Sequence, residues 1–172
     1  MHPFAGRECA DIDSRDTSGF ARAVAAAKQA DAVVMFLGEH PDMSAEANNR
    51  TSLDLPGVQE QLALAVAATG KPVVVVLLNG RPLSIGGLKD KVPAILEAWF
   101  PGVEGGHAIT DVLFGDINPS AKLPVTFPRN VGQVPIYYAH KNTGRPPSEQ
   151  EKYTSKYLDV PWTPLYAFGH GL

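Results

Sequence analysis

Ala32-Val33-Val34-Met35-Phe36-Leu37, closed by Gly38, is the stretch that decides the fold. This run is apolar, rich in β-branched residues and free of polar alternation, which is typical of a strand buried on both faces of a parallel sheet. Residues 73–78, Val-Val-Val-Val-Leu-Leu, repeat the pattern. Both runs are far shorter than the roughly 20 residues that cross a bilayer. The sequence therefore predicts a buried sheet and no membrane span.

Helical patterns alternate with these strands. The predicted elements are a helix from Asp16 or Thr17 to a point before Asp31, a strand over 32–37, a helix from Pro56 to Gly70, a strand over 73–78, a strand over 94–99, and a helix over 105–114 closed by Gly115. Such an order with short connections favours right-handed crossovers. We expect an α/β fold, an open and mostly parallel sheet with helices on both faces, which is an α/β sandwich.

The last third of the chain has a different composition. Prolines recur every few residues after Gly115, within totals of 16 Gly and 15 Pro, and regular structure should thin out there. We expect residues 1–128 to form the α/β sandwich and residues 129–172 to form an extended, Pro-rich and irregular C-terminal arm of the same domain.

Length and charge exclude several classes of protein. A chain of 172 residues is one ordinary domain, and its net charge of −3 is unlike that of a nucleic-acid-binding protein. Cys9 is the only cysteine, which excludes an internal disulfide and a multi-cysteine zinc site. The first residues lack the apolar segment of a secretory signal. No phosphate-binding loop occurs, which disfavours a flavodoxin-like nucleotide binder.

The connection after the first strand is the richest in candidate chemistry. Residues 38–55 form an 18-residue loop that contains Glu39, His40, Glu46 and Arg50. Because ligands of open parallel sheets bind beyond the carboxyl ends of the strands, these carboxylates are candidates for general acid or base work. The alternative is that they are solvated loop charges or helix caps. No second histidine lies nearby, so no metal site is expected.

Several collinear segments resemble the C-terminal α/β-sandwich domain of glycoside hydrolase family 3, the β-glucosidase family, and especially its bacterial periplasmic branch. The matching segments are Gly38-Glu39, residues 45–50, 53–56, 70–72, 78–82, 98–106, 111–116, 118–129, 142–146 and 168–172. The most specific strings are WFPGVEGG and DVLFGDINPSAKLPVTFPR. Together they span nearly the whole chain.

The resemblance implies hydrolysis of terminal β-D-glucosyl residues with retention of configuration. In this family the acid/base glutamate lies on a loop of the domain seen here, and it falls on Glu46, with Glu39 as the alternative assignment. Many relatives have a Glu-Gly-x-Asp-Arg pattern where this chain has Glu-Ala-Asn-Asn-Arg at residues 46–50. His40, Met43 and Ser44 are expected to shape the substrate site, and Arg50 is expected to hold the loop by pairing with Asp54.

The same resemblance assigns the nucleophilic aspartate to an upstream (β/α)8 barrel, for which this chain has no room. We therefore expect a portion of a longer enzyme that lacks the barrel and any downstream fibronectin-like domain, and that is inactive alone. The resemblance implies a β-glucoside or oligosaccharide substrate and a periplasmic or secreted location. We also expect no cofactor, no metal, and no nucleic acid or membrane partner. The alternatives are a β-xylosidase, N-acetylglucosaminidase or arabinofuranosidase, or a non-catalytic carbohydrate-binding or scaffold domain.

Overall fold

The computed structural model describes residues 11–172. The regular elements are α1 (Phe20–Gln29), β1 (Val33–Gly38), α2 (Gln59–Ala67), β2 (Val73–Leu78), α3 (Gly86–Lys89), β3 (Ala94–Glu97) and α4 (Gly105–Phe114), with short 3-10 helices at Pro41–Met43 and Val131–Gln133. The predicted α/β class is confirmed. Cys9 and the start of the chain, on which the expectations about disulfides and a signal sequence rest, lie outside the described residues.

The three strands form one parallel sheet in the order β1-β2-β3. Val33 pairs with Val73, and Val75 pairs with Ile95, so the carboxyl ends of all three strands meet at one edge. In the central strand β2, Val75 and Val76 are fully buried. This burial on both faces is what the continuous apolar run of residues 73–78 predicted.

The two faces of the sheet differ at β1. Helix α2 packs on β1 and β2 and is flanked by α1 and α3, and Leu37 belongs to the core on this side. On the opposite side, Val34 and Phe36 are 46% and 56% exposed. The expectation that β1 is buried on both faces is therefore wrong, because β1 is the edge strand of the described sheet and only its inner face meets the helical layer.

Helices α1 and α2 begin later than the sequence predicted. Before α1, the Asp16 carboxylate accepts hydrogen bonds from the backbone N–H and hydroxyl of Ser18, which close a turn and lower the pKa of Asp16. Before α2, Gly57 has a φ of +60°, and a Cβ there would lie 2.5 Å from the carbonyl oxygen of Ser14. The chain thus turns tightly against residues 12–14 before it becomes helical at Gln59.

Strand β3 is shorter than predicted, and α4 is as predicted. Trp99 has a φ of +53°, and its backbone N–H donates to the Glu97 carboxylate instead of continuing the ladder. Helix α4 runs from Gly105 to Phe114 and ends at Gly115, whose left-handed φ of +84° gives the helix its C-cap. The turn at Trp99 therefore separates β3 from α4 and brings polar groups to the sheet edge.

Between Gly115 and Leu172 the regular structure consists of the second 3-10 helix and one isolated antiparallel bridge, which joins Phe127 to Tyr166. Phe127 is 1% exposed and packs 5.9 Å from the Trp99 ring and 6.3 Å from that of Tyr166. Phe127, just before the C-terminal arm, and Tyr166, near its end, are thereby attached to each other and to Trp99.

Candidate functional site

Three polar side chains, two of them buried, mark the carboxyl edge of the sheet. Glu39 follows β1, Asn79 follows β2, and Glu97 is the last residue of β3. Glu39 and Asn79 are 3% and 0% exposed. Because an unpaired buried charge is costly, the partners of these groups decide how the edge is built.

The Glu39 carboxylate is saturated with donors. Arg50 Nη1 lies 2.7 Å and Arg81 Nε lies 3.1 Å from its Oε1. Ser44 Oγ donates to Oε2 at 2.8 Å, and the backbone N–H of Gly80 donates to the same atom at 3.3 Å. The carboxylate side chain has no solvent exposure. It therefore accepts three hydrogen bonds and pairs with a second guanidinium, that of Arg81, so that it offers none of its surface to a substrate.

Ser44 is the second junction of this cluster. Its Oγ accepts from Arg81 Nη2 at 3.0 Å while donating to Glu39. Arg81 also donates to the backbone carbonyl of Met43. A Cβ on Gly80 would lie 2.6 Å from the Ser44 Cβ, so only glycine permits this contact. The loop after β1 is thus attached to the loop after β2 at residues 43 and 44.

Arg50 has a partner other than the one expected. Its Nη1 pairs with Glu39, and its Nη2 donates to the backbone carbonyl of Asp54 at 3.0 Å. The Asp54 carboxylate is instead engaged by Ser52 Oγ at 2.9 Å. Arg50 therefore holds the loop as expected, but its ion pair is with Glu39, because the strand end places that carboxylate within its reach.

Glu97 is a second carboxyl at the same edge. Its pKa is raised to about 7, mainly by burial and to a smaller extent by the charge of Glu39. Hydrogen bonds from the Trp99 N–H at 3.0 Å and from Asn79 Nδ2 at 3.3 Å act in the opposite direction and lower the pKa. Asn79 also donates to the Arg81 carbonyl at 2.8 Å. The edge thus contains one carboxyl paired with two guanidinium groups and one that titrates near neutrality.

Glu46 lies in a different environment. It is exposed, in a turn that the Asn48 N–H closes on the Ala45 carbonyl at 3.0 Å. Ala47, the next residue of the turn, has a φ of +63°. Among residues 11–172, no ion pair involves Glu46. The loop therefore presents this carboxylate outward, a short distance along the chain from the cluster around Glu39.

His40 and Met43 lie on the segment between these two glutamates. His40 precedes the 3-10 helix Pro41–Met43, and its Nδ1 accepts from the Asp42 N–H at 3.2 Å. Asp42 Oδ2 is 3.4 Å from the same nitrogen. Both His40 and Met43 are partly exposed. His40, Met43 and Ser44 thus lie on one short segment after Glu39, and of their side chains that of Ser44 bonds to Glu39.

An open cavity of about 850 Å³ lies between the C-terminal part of the loop and the start of α2. Its lining includes Arg50, Asp54 and Glu60. The pKa of Glu60 is raised by burial and by the charge of Asp54.

Among residues 11–172, no three His, Cys, Asp or Glu side chains lie together as a metal site requires. No helix in that range is long and apolar enough to cross a bilayer.

Glu97, Asn79 and Arg81 were not predicted from the sequence as site residues. A usable signal existed for Asn79 and Arg81, because polar residues directly after a buried parallel strand lie at the ligand-binding edge. Glu97 offered a weaker signal, a lone carboxylate inside an apolar strand. The pairing of Arg81 with Glu39 spans 42 positions and follows only from the strand register.

Comparisons with known proteins agree on one family. The sequence profile of the glycosyl hydrolase family 3 C-terminal domain matches residues 7–172. A periplasmic beta-glucosidase of Salmonella typhimurium is 54% identical over 96% of this chain and 22% of its own length. A beta-xylosidase of Formosa agariphila is 46% identical over 94% of this chain and 22% of its own length.

Solved structures give the same result. The crystal structure of a beta-glucosidase from Listeria innocua superposes with a TM-score of 0.87 at 44% identity, over 91% of this chain and 22% of that one. A beta-glucosidase structure from Erythrobacter marinus has a TM-score of 0.78 at 48% identity, over 89% of this chain and 20% of that one. The chain thus spans about a fifth of the length of the relatives it matches.

Proposed function

Because the chain belongs to the glycosyl hydrolase family 3 C-terminal domains, we propose that it serves a retaining β-glucosidase as the domain that supplies the acid/base carboxyl. A retaining glycosidase needs two carboxyl groups about 5–5.5 Å apart, one as nucleophile and one as acid and then base. The chain spans 22% of its Salmonella relative. We propose that the nucleophilic aspartate lies on a separate barrel domain of the same parent protein.

We assign the acid/base role to Glu46. The observation that carries this assignment is the contrast between the two glutamates of the loop. Glu39 is buried and paired with Arg50 and Arg81, which leaves its side chain no route to a substrate. Glu46 is exposed in a turn beyond the sheet edge, where a carboxyl can meet a group on a facing domain.

In the first step Glu46 protonates the glycosidic oxygen as its bond to the anomeric carbon breaks and the barrel aspartate attacks that carbon. In the second step the Glu46 carboxylate takes a proton from water, which hydrolyses the glycosyl-enzyme. Both steps need the barrel, so the isolated chain is expected to be inactive. The partly exposed His40 and Met43 are proposed to line the leaving-group side of the substrate, and Ser44 to shape it by holding the loop.

A periplasmic location is proposed on the name of the Salmonella relative alone. The second candidate activity is that of a β-xylosidase, which the 46% identical Formosa relative favours. The two activities differ in the sugar that is held, and this chain is proposed to contribute the proton transfer in either case.

The test uses the full-length parent enzyme, with aryl β-glucosides and β-xylosides whose leaving groups range from dinitrophenol to phenol. Glu46→Gln is expected to lower kcat/KM for the phenyl glycoside by about 10²–10⁴-fold, which is what general acid catalysis contributes. The dinitrophenyl glycoside should be affected far less at the glycosylation step, because its leaving group departs without a proton. The glucoside-to-xyloside ratio of the unaltered enzyme identifies the sugar.

Glu149→Gln is the matched control, because Glu149 is also exposed but lies on the C-terminal arm. This variant is expected to leave kcat/KM unchanged for both substrates. Equal losses on both leaving groups in Glu46→Gln would refute the acid/base assignment. Turnover by the isolated 172-residue chain would refute the division between two domains, and inactivity of the parent enzyme on every glycoside would favour the scaffold alternative.

A further inference from the structure

We propose that Glu39 is a positioning residue that sets the orientation of the Glu46 carboxyl by holding the loop on both sides of it, at residues 44 and 50. This inference rests on the proposed role of Glu46. Glu39 is distinct from the acid itself, since its side chain has no solvent exposure. We call Glu39, Ser44, Arg50 and Arg81 the clamp.

The clamp holds the loop on either side of Glu46. On the N-terminal side, Ser44 Oγ donates to Glu39 Oε2 at 2.8 Å. On the C-terminal side, Arg50 Nη1 contacts Glu39 Oε1 at 2.7 Å. Each oxygen of the Glu39 carboxylate therefore binds one end of the 44–50 segment. The two ends cannot separate without breaking a charge-assisted hydrogen bond.

The clamp is also fixed to the sheet. Glu39 follows β1 directly, and its backbone N–H donates to the Leu78 carbonyl at 2.8 Å. Arg81, beyond the end of β2, contacts Glu39 and Ser44 and donates to the Met43 carbonyl. The loop is thus attached to the ends of two neighbouring strands. Because strands are rigid, such an attachment can hold a reacting group in a fixed position.

A purely stabilising role explains this arrangement less well. Buried ion pairs are often no more stabilising than apolar residues of the same volume, because removing two charges from water is costly. Here Ser44, Gly80 and Arg50 each donate to one oxygen of the Glu39 carboxylate, and Arg81 pairs with it as well. These hydrogen bonds define the direction of the contacts as well as their proximity. Misplacing a catalytic group by about 1 Å can cost about 100-fold in rate, so directional anchoring has a functional consequence.

The test uses Glu39→Gln and Ser44→Ala in the full-length parent enzyme, with the leaving-group series above on whichever sugar it hydrolyses. Both variants should lower kcat/KM for the phenyl glycoside, by up to about 100-fold for Glu39→Gln and by less for Ser44→Ala, which leaves the ion pairs of Glu39 with Arg50 and Arg81 in place. The dinitrophenyl glycoside should be much less affected. A variant that only destabilises the fold should lower the measured kcat/KM for both substrates equally.

A double variant separates positioning from independent effects. When Glu46 is already glutamine there is no proton donor left to orient, so adding Glu39→Gln should cause little further loss on the phenyl glycoside. Such non-additivity is expected of residues that act through one another. If the two losses multiply, Glu39 does not act through Glu46.

Ser52→Ala is the matched control. It deletes another hydroxyl of the same loop that donates to a carboxylate, Asp54, but outside the clamp. It should leave the leaving-group dependence unchanged. If circular dichroism shows that Glu39→Gln does not fold, the result for Ser44→Ala decides whether the clamp acts on Glu46. Equal losses on both substrates for Ser44→Ala, or none, while Glu46→Gln shows the leaving-group signature, would overturn the clamp and leave the proposed function intact.

Discussion

Ser44 packs against the backbone of Gly80 so closely that a Cβ on residue 80 would lie 2.6 Å from the Ser44 Cβ and 2.8 Å from a ring carbon of Phe100. Gly80→Ala is therefore expected to displace Ser44 or the loop after β2. Overpacking of this kind costs about 1–3 kcal/mol in free energy of unfolding. The thermal midpoint of the parent enzyme should fall, and hydrolysis of the phenyl glycoside should fall with it.

Gly106→Ala is the control for Gly80→Ala. Gly106 lies in α4, and a Cβ there would meet nothing within 4 Å. Alanine is the better helix former by about 1 kcal/mol, so this variant should be as stable as the unaltered protein or more so. Equal stability of Gly80→Ala and Gly106→Ala would contradict the close contact between Ser44 and residue 80.

The pKa of Glu97 predicts a pH dependence of stability. Burial holds it at about 7 in the folded protein, against an ordinary value of 4.5. The folded state therefore binds the proton more tightly than the unfolded state. The resulting stabilisation is complete below pH 4.5 and is lost as the pH rises to about 7. Relative to Glu97→Gln, the unaltered protein should lose stability on the order of 2 kcal/mol between pH 5 and pH 8.

The measurement is the thermal midpoint of both proteins at a series of pH values, because the titration of all other groups cancels in the difference. Glu149→Gln, at an exposed position, should run parallel to the unaltered protein over the same range. Parallel curves for Glu97→Gln would mean that Glu97 is ionised throughout, with Asn79 and the Trp99 N–H as sufficient donors.

The fold was predictable where one residue type decides the outcome locally. The valine run of β2 and the glycine that ends α4 at residue 115 each have one physical interpretation, and both are confirmed. The start of α2 was not predictable, because Pro56 is a good first helical residue and the close contact of Gly57 with Ser14 is tertiary. Propensity describes only the local chain, so such contacts override it.

The candidate site was predictable only in part, for the same reason. The long loop after β1 identified both Glu39 and Glu46, but the sequence does not show which of two loop glutamates is buried. That difference arises from Arg81, which reaches Glu39 only because β1 and β2 are adjacent and parallel. The role of Glu46 stays a prediction until the leaving-group experiment is done.

The turn that carries Glu46 contains a strained residue. Ala47 has a φ of +63°, a left-handed conformation that costs a residue with a Cβ about 1–2 kcal/mol. Ala47→Gly removes this strain but increases the entropy of the unfolded chain, so a net stabilisation of up to about 1 kcal/mol is expected. Ala45→Gly, at a position without positive φ, should be neutral or destabilising. Denaturant midpoints compare the two, and equal shifts would contradict strain at Ala47.

Gln133 links separate parts of the C-terminal arm by hydrogen bonds. A substitution there tests whether the arm forms one domain with the sandwich, as we propose. It is 2% exposed; its Oε1 accepts from the Arg129 N–H at 2.6 Å, and its Nε2 donates to the carbonyls of Pro161 at 2.8 Å and Thr163 at 3.3 Å. Gln133→Glu keeps the shape but replaces the amide donor by a carboxylate that faces two carbonyl oxygens. The free energy of unfolding should fall by about 1–3 kcal/mol.

The readout that separates the arm from the rest is limited proteolysis under native conditions. If residues 129–172 belong to the same domain, Gln133→Glu lowers the thermal midpoint of the whole protein and speeds cleavage in the arm together. If the arm unfolds by itself, cleavage speeds up while the midpoint is unchanged, and the single-domain assignment fails. Gln150→Glu makes the same change at an exposed arm residue and should alter neither, since water solvates both side chains there equally well.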